Sequence, residues 1–211
     1  MTAVTLKEKA YIELRKSILN GELKPGDFLT ERMLVELLGM SRTPIRSALE
    51  RLDVEGLAKY TPNKGLIVTE ISLTQVVDIF DFRIAIESYI AKRLATRAWS
   101  VDDVSWFEDN LRVQRECIEV NDHARFTEAD TAFHTKLADV YDNSEIARTM
   151  ERLQDMLYRI ALRVLRKDVN RIRSSYEDHL RIFELIREGR GPEAASQMEE
   201  HLEYGKRILL T

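Results

Sequence analysis

The chain opens on apolar positions set at a helical spacing. In LKEKAYIELRKSIL, residues 6–19, Leu6, Ala10, Ile12, Leu14, Ile18 and Leu19 recur close to the helical period, and Asn20-Gly21 ends the run. ELKPGDFL, residues 22–29, reads as a turn centred on Pro25-Gly26. TERMLVELLG, residues 30–39, predicts a second, short helix with Thr30 as its N-cap and Gly39 as its stop. MSRTPIRSALERLDVEG, residues 40–56, predicts a third. Ser41 can cap it, and Pro44 falls in the first turn, where a missing N–H does no harm. Ile45, Leu49, Leu52 and Val54 are assigned to the core, while Arg42 and Arg46 share another face. Leu57–Tyr60 and Leu66–Thr69 read as two short strands around the turn Pro62-Asn63-Lys64-Gly65. Three helices followed by a β-hairpin predict a winged helix-turn-helix.

Beyond residue 70 the pattern changes. No proline occurs between Pro62 and Pro192, and glycine is scarce there, so the region reads as all helix. Start signals recur along it. Ser72-Leu-Thr-Gln75 has the spacing of a capping box. Ser100 precedes VDDVSWFEDNLRVQRECIEV, whose first-turn acids suit a helix N-terminus. Asn121 precedes DHARFTEADTAFHTKLADVY, and Asn143-Ser144 precedes EIARTMERLQDMLYRIALRVL. A fifth helix runs through RIRSSYEDHLRIFELIREG, and Gly191-Pro192 opens a sixth. The predicted fold is mainly α: an N-terminal winged helix-turn-helix at 1–70, then an all-α six-helix bundle at 71–211. No internal repeat or low-complexity segment interrupts it.

Charge and composition narrow the function. The 211 residues are 44% hydrophobic and carry a net charge of −4, so bulk charge does not draw the molecule to nucleic acid. Residues 1–70 hold 11 Lys/Arg against 10 Asp/Glu, and the remainder 21 against 26. A DNA contact would have to come from locally placed arginines. Arg42 and Arg46 stand where the third helix would enter a major groove by its N-terminal end, and arginine grips guanine O6 and N7 with two parallel bonds. Lys64 at the wing tip could reach a phosphate or the minor groove. The bland alternative is a plain helical domain with solvated charges, Arg32 among them. The lone Cys117 cannot form an internal disulfide, which fits a reducing cytoplasm, and no apolar stretch approaches the roughly 20 residues of a membrane span. The expectation is a cytoplasmic protein with no membrane association.

The helical region offers one constellation of chemical interest. Asp130 and His134 are four apart, on one helix face, while His179 and His201 lie on the fifth and sixth helices. Three imidazoles and a carboxylate suit a divalent transition metal such as zinc, nickel or manganese. Spacing alone does not bring three helices together, and half-exposed histidines with a surface aspartate remain the alternative. Such a metal could also activate water in a metal-dependent hydrolase, although no separate general base stands near the motif.

ILNGELKPGDFLTERMLVELLGMSRTPIRSALERLDVEGL resembles the DNA-binding domain of the GntR regulators. The resemblance implies that Arg32, Arg42 and Arg46 contact DNA, with Thr43 on a phosphate and Gly65 at the wing tip. Ser47 departs from the family, which often has an acid there. DIFDFRIAIESYIAKRLA, EADTAFHTKLADVYDNSEI and YEDHLRIFELIREGRGPEAASQMEEHL are similar to the FCD effector domain of the FadR branch. Six helices match its shorter, VanR-like type. That resemblance implies Asp130, His134, His179 and His201 as metal ligands, zinc foremost. It also implies a small organic acid as effector and brings in Arg83, Asn143 and Arg159 as candidates for binding it. For Arg83 an intrahelical ion pair with Glu87 is the alternative, and for Asn143 a cap on the following helix. The implied function is a DNA-binding transcriptional regulator, not an enzyme: a homodimeric repressor that reads a palindromic operator and yields to a carboxylic-acid metabolite. A metal-responsive regulator, with the ion itself as signal, is the other reading. The segment near Glu70–Leu73 would couple the two parts.

Overall fold

The computed structural model describes residues 4–61, 65–168 and 170–211, which divide into two compact units, 1–71 and 72–211. In the first, α1 (Leu6–Leu19), α2 (Glu31–Leu38) and α3 (Arg42–Val54) are joined by a small sheet of β1 (Phe28–Leu29), β2 (Ala58–Thr61) and β3 (Gly65–Val68). The strands are antiparallel in the order β1-β3-β2, with Phe28 opposite Ile67 and Lys59 opposite Ile67 on the other side.

Local chemistry accounts for the boundaries. Thr30 accepts a hydrogen bond from the Met33 N–H at the start of α2, and Gly39 ends that helix in the left-handed region at φ 62°. Ser41 stands at the N-cap of α3 without a side-chain bond. The turn at Pro25-Gly26 does more than reverse the chain: it delivers Phe28 and Leu29 to the sheet edge as a third strand that the sequence reading leaves out. Gly65 sits at φ 89°, and a Cβ there would stand 3.1 Å from the Leu29 carbonyl oxygen, so the backbone needs glycine at this crossing.

Ala10, Leu14, Leu34, Ile45, Leu49 and Leu52 form the core of this unit. Val54 does not join them; it is 88% exposed. At about 100° per residue it lies roughly 180° around α3 from Ile45, whereas Leu49 and Leu52 return to within about 40° of it. Leu6 and Ile12 on α1 are exposed as well.

The second unit contains α4 (Leu73–Leu94), α5 (Val101–Val120), α6 (His123–Tyr141), α7 (Ser144–Lys167), α8 (Arg171–Arg187) and α9 (Gly191–Leu210). Ser72 and Gln75 form the full capping box of α4. Asn121 does not start α6; it closes α5 at φ 55°, and Asp122 caps α6 by accepting from the Arg125 N–H. Helix α9 lies against α4. Gly191 makes that approach feasible, since a Cβ there would meet the Lys92 carbonyl oxygen at 2.7 Å. Among the described residues no helix is long and apolar enough to cross a membrane.

Candidate functional site

The candidate functional side chains fall into two groups, one in each unit. In the first, Arg42 and Thr43 open α3 and are exposed, as is Arg46 one turn on. Arg32 is exposed near the start of α2. Glu31 binds Arg46 along one edge, accepting from Nε at 2.7 Å and Nη2 at 3.1 Å, which ties the two helices together. Pro44 and Ile45 turn inward between these polar positions, so the first turns of α3 present arginines outward while anchoring inward. Gly65 begins β3; Lys64, expected at the wing tip, lies outside the described residues.

In the second unit the fold converges what the sequence separates. Asp130 and His134 from α6, His179 from α8 and His201 from α9 are all buried, and each offers a ligand atom within 4.8 Å of the others. The Nε2 atoms of His134 and His179 are 3.2 Å apart, and His179 Nε2 is 3.6 Å from Asp130 Oδ1. Ligand nitrogens at zinc bond lengths stand about 3.0–3.4 Å apart, so the imidazole pair already has the spacing of a shared ion.

The surrounding groups act on the opposite ring nitrogens. Gln114 Oε1 lies 2.8 Å from His179 Nδ1. Glu87 Oε2 lies 2.5 Å from His134 Nδ1. Asp178 Oδ2 lies 3.0 Å from His201 Nδ1. Acceptors at Nδ1 favour a proton there and leave the Nε2 lone pairs for a metal. Arg171 Nη2 stands 2.9 Å from the same His201 Nδ1 and also donates to the His201 carbonyl at 3.0 Å. Ligation through Nε2 would assign the Nδ1 proton to Asp178 and leave Arg171 its bonds to the His201 carbonyl and, from Nη1 at 3.0 Å, to Asp178 Oδ2. The Phe133 ring stacks on His179 with centroids 4.4 Å apart, fixing the ring plane from its apolar side.

Electrostatics match this geometry. Burial holds His179 and His201 well below the ordinary imidazole range, with neighbouring imidazoles and arginines pushing the same way, so both rings are neutral and need shed no proton to bind an ion. Burial raises Asp130 against the pull of His134, Arg83 and Arg171. Burial likewise works to raise Glu87, but Arg83 and His134 outweigh it and hold that carboxyl at about 2. A cation among these groups would offset the desolvation of Asp130 and sit between facing lone pairs; the donor set fits a divalent transition metal.

A cleft of about 30 Å³ adjoins the cluster, lined by Phe80, Arg83, Asp130, Arg171, Ser175 and His201 among others. Arg83 makes the intrahelical ion pair that the sequence offered as its alternative and also lies along the cleft. It donates from Nε to Glu87 Oε1 at 2.6 Å, and it lines the cleft. Asn143 is elsewhere, exposed at the N-cap of α7 with its side chain accepting from the Glu145 and Ile146 N–H groups. Arg159 is half-buried on α7 and does not line the cleft. Arg171 and Gln114 escaped the sequence reading. Arg171 is the first residue of a helix with no motif around it, and Gln114 is a neutral amide in an otherwise charged stretch of α5. Asp178 adjoins His179 in Glu-Asp-His-Leu, so its signal was present.

Residues 6–68 match the family described as bacterial regulatory proteins, gntR family, and residues 78–204 match the FCD domain. The HTH-type transcriptional repressor RspR of Escherichia coli K12 is 30% identical over 94% of this chain and 86% of its own length. The HTH-type transcriptional regulator YdhC of Bacillus subtilis is 28% identical over 89% of this chain and 83% of its own. Among solved structures, a GntR-type transcriptional regulator from Rhodococcus sp. RHA1 superposes with a TM-score of 0.81 at 21% identity, covering 97% of this chain and 98% of that one.

Proposed function

Because the chain belongs to the GntR family of bacterial regulatory proteins and carries its FCD domain, we propose that this transcriptional regulator is a repressor governed by a metal-assisted organic-acid site. Its relatives are regulators and not enzymes, which sets the hydrolase reading aside. The observation that carries the proposal is the buried meeting of Asp130, His134, His179 and His201 beside a cleft that two arginines also line. Those four side chains would hold the ion, with zinc the first choice and nickel or manganese the alternatives. A bound divalent ion would supply Lewis-acid positions for an oxygen donor. Arg83, held through Nε by Glu87, and Arg171, held by Asp178 and the His201 carbonyl, line the same cleft and bring to it the positive charge that suits a carboxylate.

In the DNA-binding unit, Arg42 and Arg46 would read base edges from the N-terminal end of α3. Arg32 and Thr43 would hold phosphates, with Lys64 and Gly65 at the wing. Two copies of the chain would bind a palindromic operator, each reading one half-site. The name of the RspR relative supports repression over activation. A protein of this kind works in the cytoplasm, where the DNA is.

One observation favours a second reading. The cleft of about 30 Å³ has room for water-sized contents, so an acid larger than that must displace side chains to enter. An ion needs no such movement, and the metal alone would then be the signal.

A thermal-shift screen of sugar acids, hydroxy acids and dicarboxylates decides between them, run on protein as purified and after chelation. The proposal expects one acid class to raise the midpoint, with the effect lost on metal removal and restored by adding metal back. A large shift on metal alone with none from any acid would establish the second reading.

A further inference from the structure

We infer that Gln114 is a positioning residue that holds His179 in its Nδ1–H form, and that a backbone carbonyl on a different helix sets the direction of this hold. The inference rests on the metal-centre reading for its purpose, though not for its geometry.

The relay is short and lies in the interior. Asn110 Nδ2 donates to the Ala129 carbonyl oxygen at 3.0 Å, and Gln114 Nε2 donates to Asn110 Oδ1 at 2.7 Å. Gln114 Oε1 then faces His179 Nδ1 at 2.8 Å. Gln114 and His179 are fully enclosed, and Asn110 is 9% exposed, so water does not substitute for these partners.

An amide can be turned either way, and an imidazole can carry its proton on either nitrogen. The Ala129 carbonyl removes that freedom because it can only accept. It requires the NH₂ of Asn110, which turns the Asn110 oxygen toward Gln114. That oxygen requires the NH₂ of Gln114, which turns the Gln114 oxygen toward His179. His179 must therefore donate from Nδ1, and its Nε2 lone pair faces His134 and Asp130. Reversing either amide places two oxygens against each other, and reversing the ring sets its Nδ1 lone pair against the Gln114 oxygen, in a dry interior. Residues i and i+4 on α5 make the middle bond, which is why Asn110 and Gln114 stack on one face. Ala129 directly precedes Asp130, so the same relay also ties the α6 backbone at one ligand to the α8 ring of another.

The test uses the full chain, stripped of metal, with ¹⁵N-labelled histidine. Long-range ¹H–¹⁵N spectra report which His179 nitrogen carries the proton, and competition with a chromophoric chelator reports Zn²⁺ affinity. Wild type should show the proton on Nδ1. Gln114→Leu, which removes the acceptor, should lose the fixed tautomer and bind Zn²⁺ about 10–100-fold more weakly with unchanged helical content. Gln114→Glu keeps an acceptor oxygen toward His179 and should restore the Nδ1 tautomer, at a cost in stability from the oxygen it turns toward Asn110 Oδ1. Should Gln114→Leu not fold, Asn110→Leu carries the same test by freeing Gln114 to turn. A wild-type proton on Nε2, or a tautomer indifferent to both leucine variants, overturns the inference. Wild type that takes up no divalent ion would instead sink the metal-centre reading, while the tautomer spectra still decide the role of Gln114.

Discussion

Single side chains in this protein are tuned by what faces them. Glu31 takes the Nε–Nη2 edge of Arg46, whereas among the described residues no ion pair holds Arg42, which makes Arg42 the cleaner probe of base reading. Arg42→Ala should weaken operator binding by about 1–3 kcal/mol and relax sequence preference at one base pair, as read by titration against an operator and its single-position variants. Equal affinity and equal preference in the variant would remove Arg42 from the reading face. The buried imidazoles make a second, pH-dependent prediction. His179 and His201 have folded values well below their ordinary 6.5, so below that pH the unfolded chain binds protons that the folded chain does not. Stability of the metal-free protein should therefore fall as pH drops from about 7.5 toward 5.5, by at most about 1.4 kcal/mol per pH unit for each ring. Urea unfolding of chelated protein at the two pH values measures it, and a flat profile would mean the rings protonate in place. Asp130, raised by burial, acts with the opposite sign, adding stability as pH falls through its raised folded value, so the Asp130→Asn variant isolates the imidazole contribution.

At the scale of elements, helix ends were legible because capping is local. Thr30, Gly39, Ser72 and Asn143 each stand where their chemistry places them. What sequence patterning missed depended on tertiary partners. Strand β1 has two residues and exists only because β3 offers it an edge. Val54 is apolar, yet its angular position on α3 faces solvent. The metal-ligand candidates were visible as residue types, while their convergence depends on how α6, α8 and α9 pack. Arg171 and Gln114 had no signal at all, since nothing in their sequence neighbourhood marks a residue whose partner is 30 or 65 positions away. The packing of α9 on α4 yields a prediction of its own. A methyl group added at Gly191 would sit 2.7 Å from the Lys92 carbonyl oxygen, a backbone atom that cannot swing aside. Gly191→Ala should cost about 1–3 kcal/mol through overpacking, lowering the melting midpoint by several degrees. The control is Gly26→Ala, where nothing lies within 4 Å and only the φ of 90° resists. An unchanged midpoint for Gly191→Ala would show that α9 can start further from α4.

For the molecule as a whole, regulation means that two sites bias one equilibrium, and linkage makes that claim measurable from either end. If a carboxylic acid bound at the metal centre lowers operator affinity by some factor, operator must lower acid affinity by the same factor. A coupling of about 1–3 kcal/mol corresponds to roughly 5–150-fold. Calorimetric titration of the acid into free protein and into protein saturated with operator should differ by that amount. The same pair of titrations on His134→Ala protein should show the acid's affinity reduced and the coupling gone, because the ring that helps hold the ion is missing. If acid binds equally well with and without operator, then occupancy of the cleft does not report to the DNA-binding unit, however tightly the acid is held. If metal alone shifts operator affinity and acid adds nothing, the ion is the signal, and the physical reason is the small volume of the cleft, about 30 Å³, which leaves little room for an acid beside the four candidate ligands.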